Sequence, residues 1–128
     1  MSRPALAALA ALALLLPPAR AADPHPPADA ILLTIFLRHD QSMPLGEINA
    51  RLEKNGWYQR FPPAGTEVVS WYVMMGIGQV VTLRVPPDKL REVNLAVENG
   101  AWGGYRTEFY ATYDFKAVWD QEQAKRRK

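Results

Sequence analysis

At 128 residues the chain has room for one domain, and its lack of cysteine excludes disulfides, thiolate catalysis and cysteine-ligated metals. Fifteen Lys and Arg against thirteen Asp and Glu give a formal net charge of +2. Arg3 and Arg20 supply that excess, so the chain from Ala22 onward is neutral and its charge gives no footing for nucleic-acid binding.

Residues 1–21 read as an export signal. Arg3 is a short positive region, Ala5 to Leu16 an apolar run, Pro17-Pro18 a break, and Ala19-Arg20-Ala21 a small-x-small cleavage pattern ending before Ala22. A helix over the apolar run would span about 18 Å, against a hydrocarbon core of about 30 Å. Cleavage, no stable membrane span afterwards, and a periplasmic or secreted destination are expected. A lipid anchor would need a cysteine at the cleavage site, and there is none. Ala22 to Asp29 (ADPHPPAD) is a proline-rich leader.

Ala30 to Arg38 is predicted as the first strand, with Ile31, Leu33, Ile35 and Leu37 on one face and Leu32, Thr34, Phe36 and Arg38 on the other. His39 to Ser42 make the turn that follows. Ser42-Met43-Pro44 opens a helix carrying Leu45, Ile48 and Leu52 on one side, and Asn55-Gly56 ends it. Glu67 to Val85 is a hairpin about Gly76-Ile77-Gly78. Its first strand alternates Val69, Trp71, Val73 and Met75 with Val68, Ser70, Tyr72 and Met74. Its second alternates Val81, Leu83 and Val85 with Val80, Thr82 and Arg84. No helix follows the Gly-x-Gly, so it is a turn and not a phosphate loop. Pro86-Pro87-Asp88 opens a second helix with Leu90, Val93 and Val97 buried, closed at Asn99-Gly100. Thr107 to Tyr113 is the last strand. A short tail from Phe115 is helical through Trp119, and its basic end, Lys125 to Lys128, reads as solvated.

The order strand, helix, strand, strand, helix, strand is the ferredoxin-like βαββαβ pattern, an α+β fold with two helices on one face of a four-stranded antiparallel sheet. The domain is expected over residues 30–115, with a basic tail over 116–128. The uncovered face would carry Leu32, Phe36, Val68, Tyr72, Met74, Val80 and Tyr110, enough apolar surface to ask for a second layer.

The element order, the helix end LEKNGWYQRF and the segment GAWGGYRTEFYATYDF resemble the dimeric α+β barrel group. Muconolactone isomerase-like proteins are the most similar in layout, over Ile31 to Phe115. The resemblance implies a homodimer with two sheets packed open face to open face. The group includes isomerases, heme-degrading and cofactor-independent monooxygenases, dehydratase-like enzymes and proteins with no known activity. It carries no catalytic residue across, and the export signal departs from its mostly cytoplasmic members.

Candidate chemistry lies among Arg38, Tyr72, Arg84, Glu108 and Tyr110 on the open face. An arginine suits a carboxylate ligand, Glu108 a general base if burial raises its pKa, and the tyrosines a ligand oxygen. The plainer reading of the same residues is an Arg–Glu pair at an interface or sheet edge. His39 beside Asp40 is a second acid–base candidate, although strand alternation sends neighbours to opposite faces. As the one histidine of the folded part it makes a poor transition-metal site. An axial heme ligand and a turn histidine both stay open, and no cofactor is assigned. Trp57 and Trp102, each just after a helix, are candidates to line an aromatic cleft, while Trp71 is expected in the core. No Gly-x-Ser-x-Gly elbow occurs.

Two functions fit. One is an exported, dimeric binder of a small, partly apolar ligand, with an isomerase- or oxygenase-type step open to it. The other is a non-catalytic envelope module that docks through the mixed sheet face. An RNA binder is excluded by neutral charge, the missing aromatic signature KGFGFVxF and export.

Overall fold

A computed structural model describes residues 28–128; the expected export signal and most of the leader lie outside the described residues. Strands β1 (Ile31–His39), β2 (Glu67–Met74), β3 (Gly78–Val85) and β4 (Tyr105–Thr112) form one antiparallel sheet in the order β2-β3-β1-β4. Helices α1 (Leu45–Lys54) and α3 (Leu90–Gly100) supply the two crossovers, and a single turn of 3-10 helix, Pro87–Lys89, leads into α3. This is the ferredoxin-like arrangement expected from the element order.

Alternation decides which face the helices cover. Leu33, Ile35 and Leu37 of β1 and Val81, Leu83 and Val85 of β3 are buried, together with Ile48 and Leu52 of α1 and Val93 and Val97 of α3. Full burial of each such side chain is worth roughly 1.5–3 kcal/mol, so this layer holds the domain together without a disulfide. Leu45 and Leu90, expected in the same layer, lie at the first turns of their helices and stay exposed.

The start of the first helix differs in detail from the expectation. Ser42 does not cap α1; Pro44 stands at the cap, and Ser42 instead donates to Asp40. At the other end Gly56 takes a left-handed φ of 69° and turns the chain straight into a four-residue helix, α2 (Trp57–Arg60). α3 ends at Gly100 as expected, with Ala101 at the cap and without the left-handed turn that Gly56 makes. Gly100 is needed for contact: a Cβ there would meet Trp57 Cε3 at 3.0 Å. Trp57 is thus a core residue, 2% exposed, stacked on Phe61 at 4.4 Å between ring centres and edge-on to Tyr105. Sequence reasoning put Trp57 in a cleft because it could not see that α2 folds back over α3.

The hairpin closes with Ile77 N–H donating to the Met74 carbonyl at 3.0 Å. Gly78, with φ 146°, lies so close to β1 that a Cβ would fall 2.1 Å from the Leu37 carbonyl oxygen. Only glycine fits, and the Ile77 carbonyl then accepts from His39 N–H at 2.8 Å.

β2 departs most from the expected pattern. An irregularity between Val68 and Ser70 adds a residue, so Val68 opposes Leu83 and Glu67 opposes Arg84. Val68 therefore shares the helix-side parity and does not belong to the open face; Glu67 replaces it there. Val69, Val73 and Met75, expected under the helices, are exposed, and Trp71 is only partly covered. The cause is position: β2 is an edge strand, with no helix shown packing along it. Trp71 settles for an edge-on contact with Phe61 and a hydrogen bond from its indole to Gln79 at 2.7 Å.

β4 begins at Tyr105, two residues earlier than expected, and Ala111 is exposed while Phe109 packs on the core. The tail is a full helix, α4 (Phe115–Arg126), running past Trp119, and its basic end from Lys125 stays exposed as expected. Asp114 caps it, accepting from Lys116 N–H at 2.9 Å and Ala117 N–H at 3.4 Å.

Candidate functional site

Strand pairing sorts the open face into four rows. From β2 to β4 they are Met74, Gly78, Arg38 and Arg106; then Tyr72, Val80, Phe36 and Glu108; then Ser70, Thr82, Thr34 and Tyr110; then Glu67, Arg84, Leu32 and Thr112. Among the described residues no element packs across these rows. Tyr72 is 68% exposed and Tyr110 is 51% exposed.

The polar centre of the face is built from neighbouring rows on β1 and β4. Tyr110 donates its phenolic hydrogen to Glu108 Oε2 at 3.0 Å. Arg38 Nε lies 3.3 Å from Glu108 Oε1, a charge contact without hydrogen-bond alignment, because that Nε is shielded and makes no hydrogen bond. The Arg38 guanidinium also stands 5.7 Å above the Phe36 ring, which meets Tyr110 edge-on at 5.7 Å. One carboxylate, one phenol and one guanidinium therefore converge over an aromatic floor. Donation to Glu108, with the carboxylate's negative charge behind it, raises the Tyr110 phenol above its ordinary pKa.

Glu108 is 41% exposed at its side chain. A general-base role needs the desolvation that a second layer over this face would add. In the single chain its oxygens are occupied by Tyr110 and Arg38.

Arg84 does not join this group. It sits three rows away, beside Glu67 at 3.5 Å, and six residues along β1 separate its row from that of Arg38. That separation is about 20 Å. The expected pocket of Arg38, Arg84 and Glu108 is therefore split between the two ends of the sheet. Tyr72 shares the row of Glu108 but stands on β2, at the opposite edge of the sheet with β3 and β1 between.

His39 belongs to the other side. It shares the parity of Leu37, stacks on Tyr105 with ring centres 5.7 Å apart and planes 12° from parallel, and leaves Nε2 shielded without a partner. It cannot share a site with Glu108 across the sheet. Nor does it pair with Asp40, whose Oδ1 accepts from Ser42 N–H at 2.9 Å and Ser42 Oγ at 2.6 Å. The Ser42 hydroxyl, then its N–H, and the charges of Arg106 and Arg51 hold the Asp40 carboxyl below the usual carboxylate range.

Trp102 is 54% exposed, its indole donating to Thr107 Oγ1 at 3.0 Å and its carbonyl accepting from Asn55. It lines shallow clefts with Gly103 and Arg106 on one side and Lys54 and Asn55 on the other. It does not meet Trp57 in an aromatic cleft.

Arg106 escaped the sequence reading. It opposes Arg38 directly on β4, and among the described residues it makes no ion pair. Like charges at opposed positions disfavour the sheet. Both line an open cleft of about 330 Å³ with His39, Asp40, Gln41 and Ile77 at the end of the sheet. The alternation of Arg106, Glu108 and Tyr110 would have shown it, had the strand been started at Tyr105.

Among the described residues no three His, Asp or Glu are grouped to hold a metal ion, and no helix is long and apolar enough to cross a membrane. The chain matches no family model, no curated protein and no solved structure.

Proposed function

We propose that the chain is an exported binding protein whose open sheet face is its working surface. Two copies pack these faces together and hold a small, partly apolar ligand between them. Arg38 takes an acidic group of that ligand, Tyr110 and Glu108 take its remaining polar atoms, and Phe36, Tyr72 and Val80 contact its apolar part.

The convergence of Arg38, Glu108 and Tyr110 over Phe36 on an uncovered face carries this reading. Leu32, Phe36, Tyr72, Met74, Val80 and Tyr110 lie on the same face. Full burial of all six would stabilise by at most roughly 10–15 kcal/mol, since four of them are already half-buried by neighbours. Association costs about 4–15 kcal/mol, so covering this face with a second copy would offset much of that cost. Closing the face would also desolvate Glu108, and an isomerase- or oxygenase-type proton transfer would then fall to that carboxylate.

A second reading is a non-catalytic envelope module docking through the same face. The observation that favours it is that Glu108 already has both oxygens occupied within the chain. Native mass spectrometry of the protein from residue 22 onward separates the two. A dimer that carries a small molecule, lost on Arg38→Ala, supports the ligand-holding reading. A dimer that carries nothing, with or without Arg38, supports the docking module.

A further inference from the structure

α4 is stranded. It runs for twelve residues, Phe115–Arg126, about 18 Å, two residues beyond the edge strand β4. Among the described residues no other element packs extensively along it. Yet it is not a polar helix on its inner turns: Phe115, Val118 and Trp119 recur at i, i+3 and i+4 and are 55%, 42% and 52% exposed. The rings of Phe115 and Trp119 lie 6.5 Å apart on one stripe. A helix of this length is marginal in water alone, and most helices owe their stability to an apolar face packed on something. Asp114 caps its start, and Lys116–Asp120, Lys125–Glu122 and Arg126–Glu122 pairs support its turns. Those contacts favour the helix but leave the stripe uncovered.

The open sheet face has the complementary shortfall. A standard stable interface removes about 800 Å² of accessible surface from each partner. Of the six large apolar side chains on the sheet face only Tyr72 and Tyr110 are well exposed, so the face by itself offers a second copy limited apolar surface. A helix 18 Å long and about 10 Å wide adds roughly 180 Å² from each copy, and the surface it lies on adds as much again. In a two-fold pair each chain both gives and receives a helix, so the gain is counted on both sides.

We infer that α4 is a reciprocal arm: in the pair of chains, the Phe115–Val118–Trp119 stripe of each copy packs on the other copy beside the joined sheet faces. This rests on the open-face pairing proposed above. The stripe covers only the first turn and a half of the helix, and Glu122, Gln123 and Arg126 continue the same side. A membrane-surface helix would carry its apolar stripe along its whole length. A short stripe followed by polar groups fits a protein surface with an apolar spot and a polar rim.

The test is sedimentation of the signal-cleaved chain across a concentration series, for the native sequence, a Phe115→Ser/Trp119→Ser variant, and a Tyr72→Asp variant. Circular dichroism checks that each remains folded, and a chain stopped after Asp114 guards against local misfolding of the altered helix. The inference predicts a native dimer, a dimer weakened on the order of 30-fold or more by the α4 variant and by the truncation, and a dimer weakened as far by Tyr72→Asp. A native dimer unaffected by both α4 changes but lost with Tyr72→Asp overturns the arm and leaves open-face pairing standing. A dimer lost with the α4 changes but kept with Tyr72→Asp overturns open-face pairing and, with it, the arm beside the joined faces; α4 then pairs the copies through another surface. A native monomer overturns both. A native monomer that floats with vesicles of mixed neutral and anionic phospholipid, and stops doing so when α4 is removed, assigns the helix to the membrane surface instead.

Discussion

Tyr110 donates to the Glu108 carboxylate at 3.0 Å from two residues further along the same strand. The two side chains share one face only because β4 runs unbroken from Tyr105 to Thr112, and the bond raises the phenol's pKa. Its loss should be visible in titration. The Tyr110 phenol, raised by this bond, should return toward the ordinary tyrosine range in Glu108→Gln. Carbon-13 signals of the phenol ring carbons follow each tyrosine separately. An unchanged Tyr110 titration in the variant would contradict the network.

The same shift has a pH signature with a definite sign. A folded-state pKa above the unfolded value gives a contribution that is complete below the unfolded phenol pKa of about 10 and lost as pH rises through the folded value. Asp40 works the other way. Its folded pKa is lowered by Ser42, so its contribution is complete above the unfolded value and lost as pH falls through the folded one. Ser42→Ala should therefore raise the Asp40 pKa and remove stability in neutral solution but not in strong acid. Chemical denaturation in buffers on both sides of the carboxylate range checks this. Equal losses at both ends would assign Ser42 a packing role instead.

Two glycines should respond with opposite sign. A Cβ at Gly78 would fall 2.1 Å from the Leu37 carbonyl oxygen on a backbone with φ 146°, so Gly78→Ala should destabilise by about 3 kcal/mol or more. Nothing lies within 4 Å of a Cβ at Gly46, which is helical, so Gly46→Ala should stabilise by about 0.5 kcal/mol. Urea unfolding of the two variants side by side measures both. A tolerated Gly78→Ala would mean that the hairpin does not press against β1.

Trp57 and Trp102 should also part company. Trp57→Ala empties a stacked core position and should cost about 3–5 kcal/mol. Trp102→Ala removes an exposed ring and one hydrogen bond to Thr107, and should cost about 1 kcal/mol. Comparable losses would put Trp57 back at a surface.

These pairs also show what could be read from the chain by itself. Element order, the hairpin and the covered layer of Leu33, Ile35, Leu37, Val81, Leu83 and Val85 follow from alternation, which is local. The faces of β2 were misread because one added residue between Val68 and Ser70 exchanges sides, and no residue type announces it. Arg38, Glu108 and Tyr110 were legible as a set because they lie on facing strands with matched parity. Arg84 was grouped with them wrongly, since parity fixes a face but not a distance along it. Trp57 was misplaced because its burial depends on α2 folding against Gly100 of α3, a contact between residues 43 apart.

The central claim is that a second copy covers the open face, and hydroxyl-radical footprinting of the chain from residue 22 onward tests it most directly. Tyr58 and Tyr110 are equally accessible in the single chain, at 52% and 51%, and Tyr72 is more so at 68%. Tyr58 lies on α2, on the helix side of the sheet, and serves as the internal reference. At micromolar protein, covered faces predict that Tyr72 and Tyr110 are oxidised several-fold more slowly than Tyr58, and that the protection fades on dilution. Tyr72 and Tyr110 oxidised at least as fast as Tyr58 at every concentration would contradict the claim.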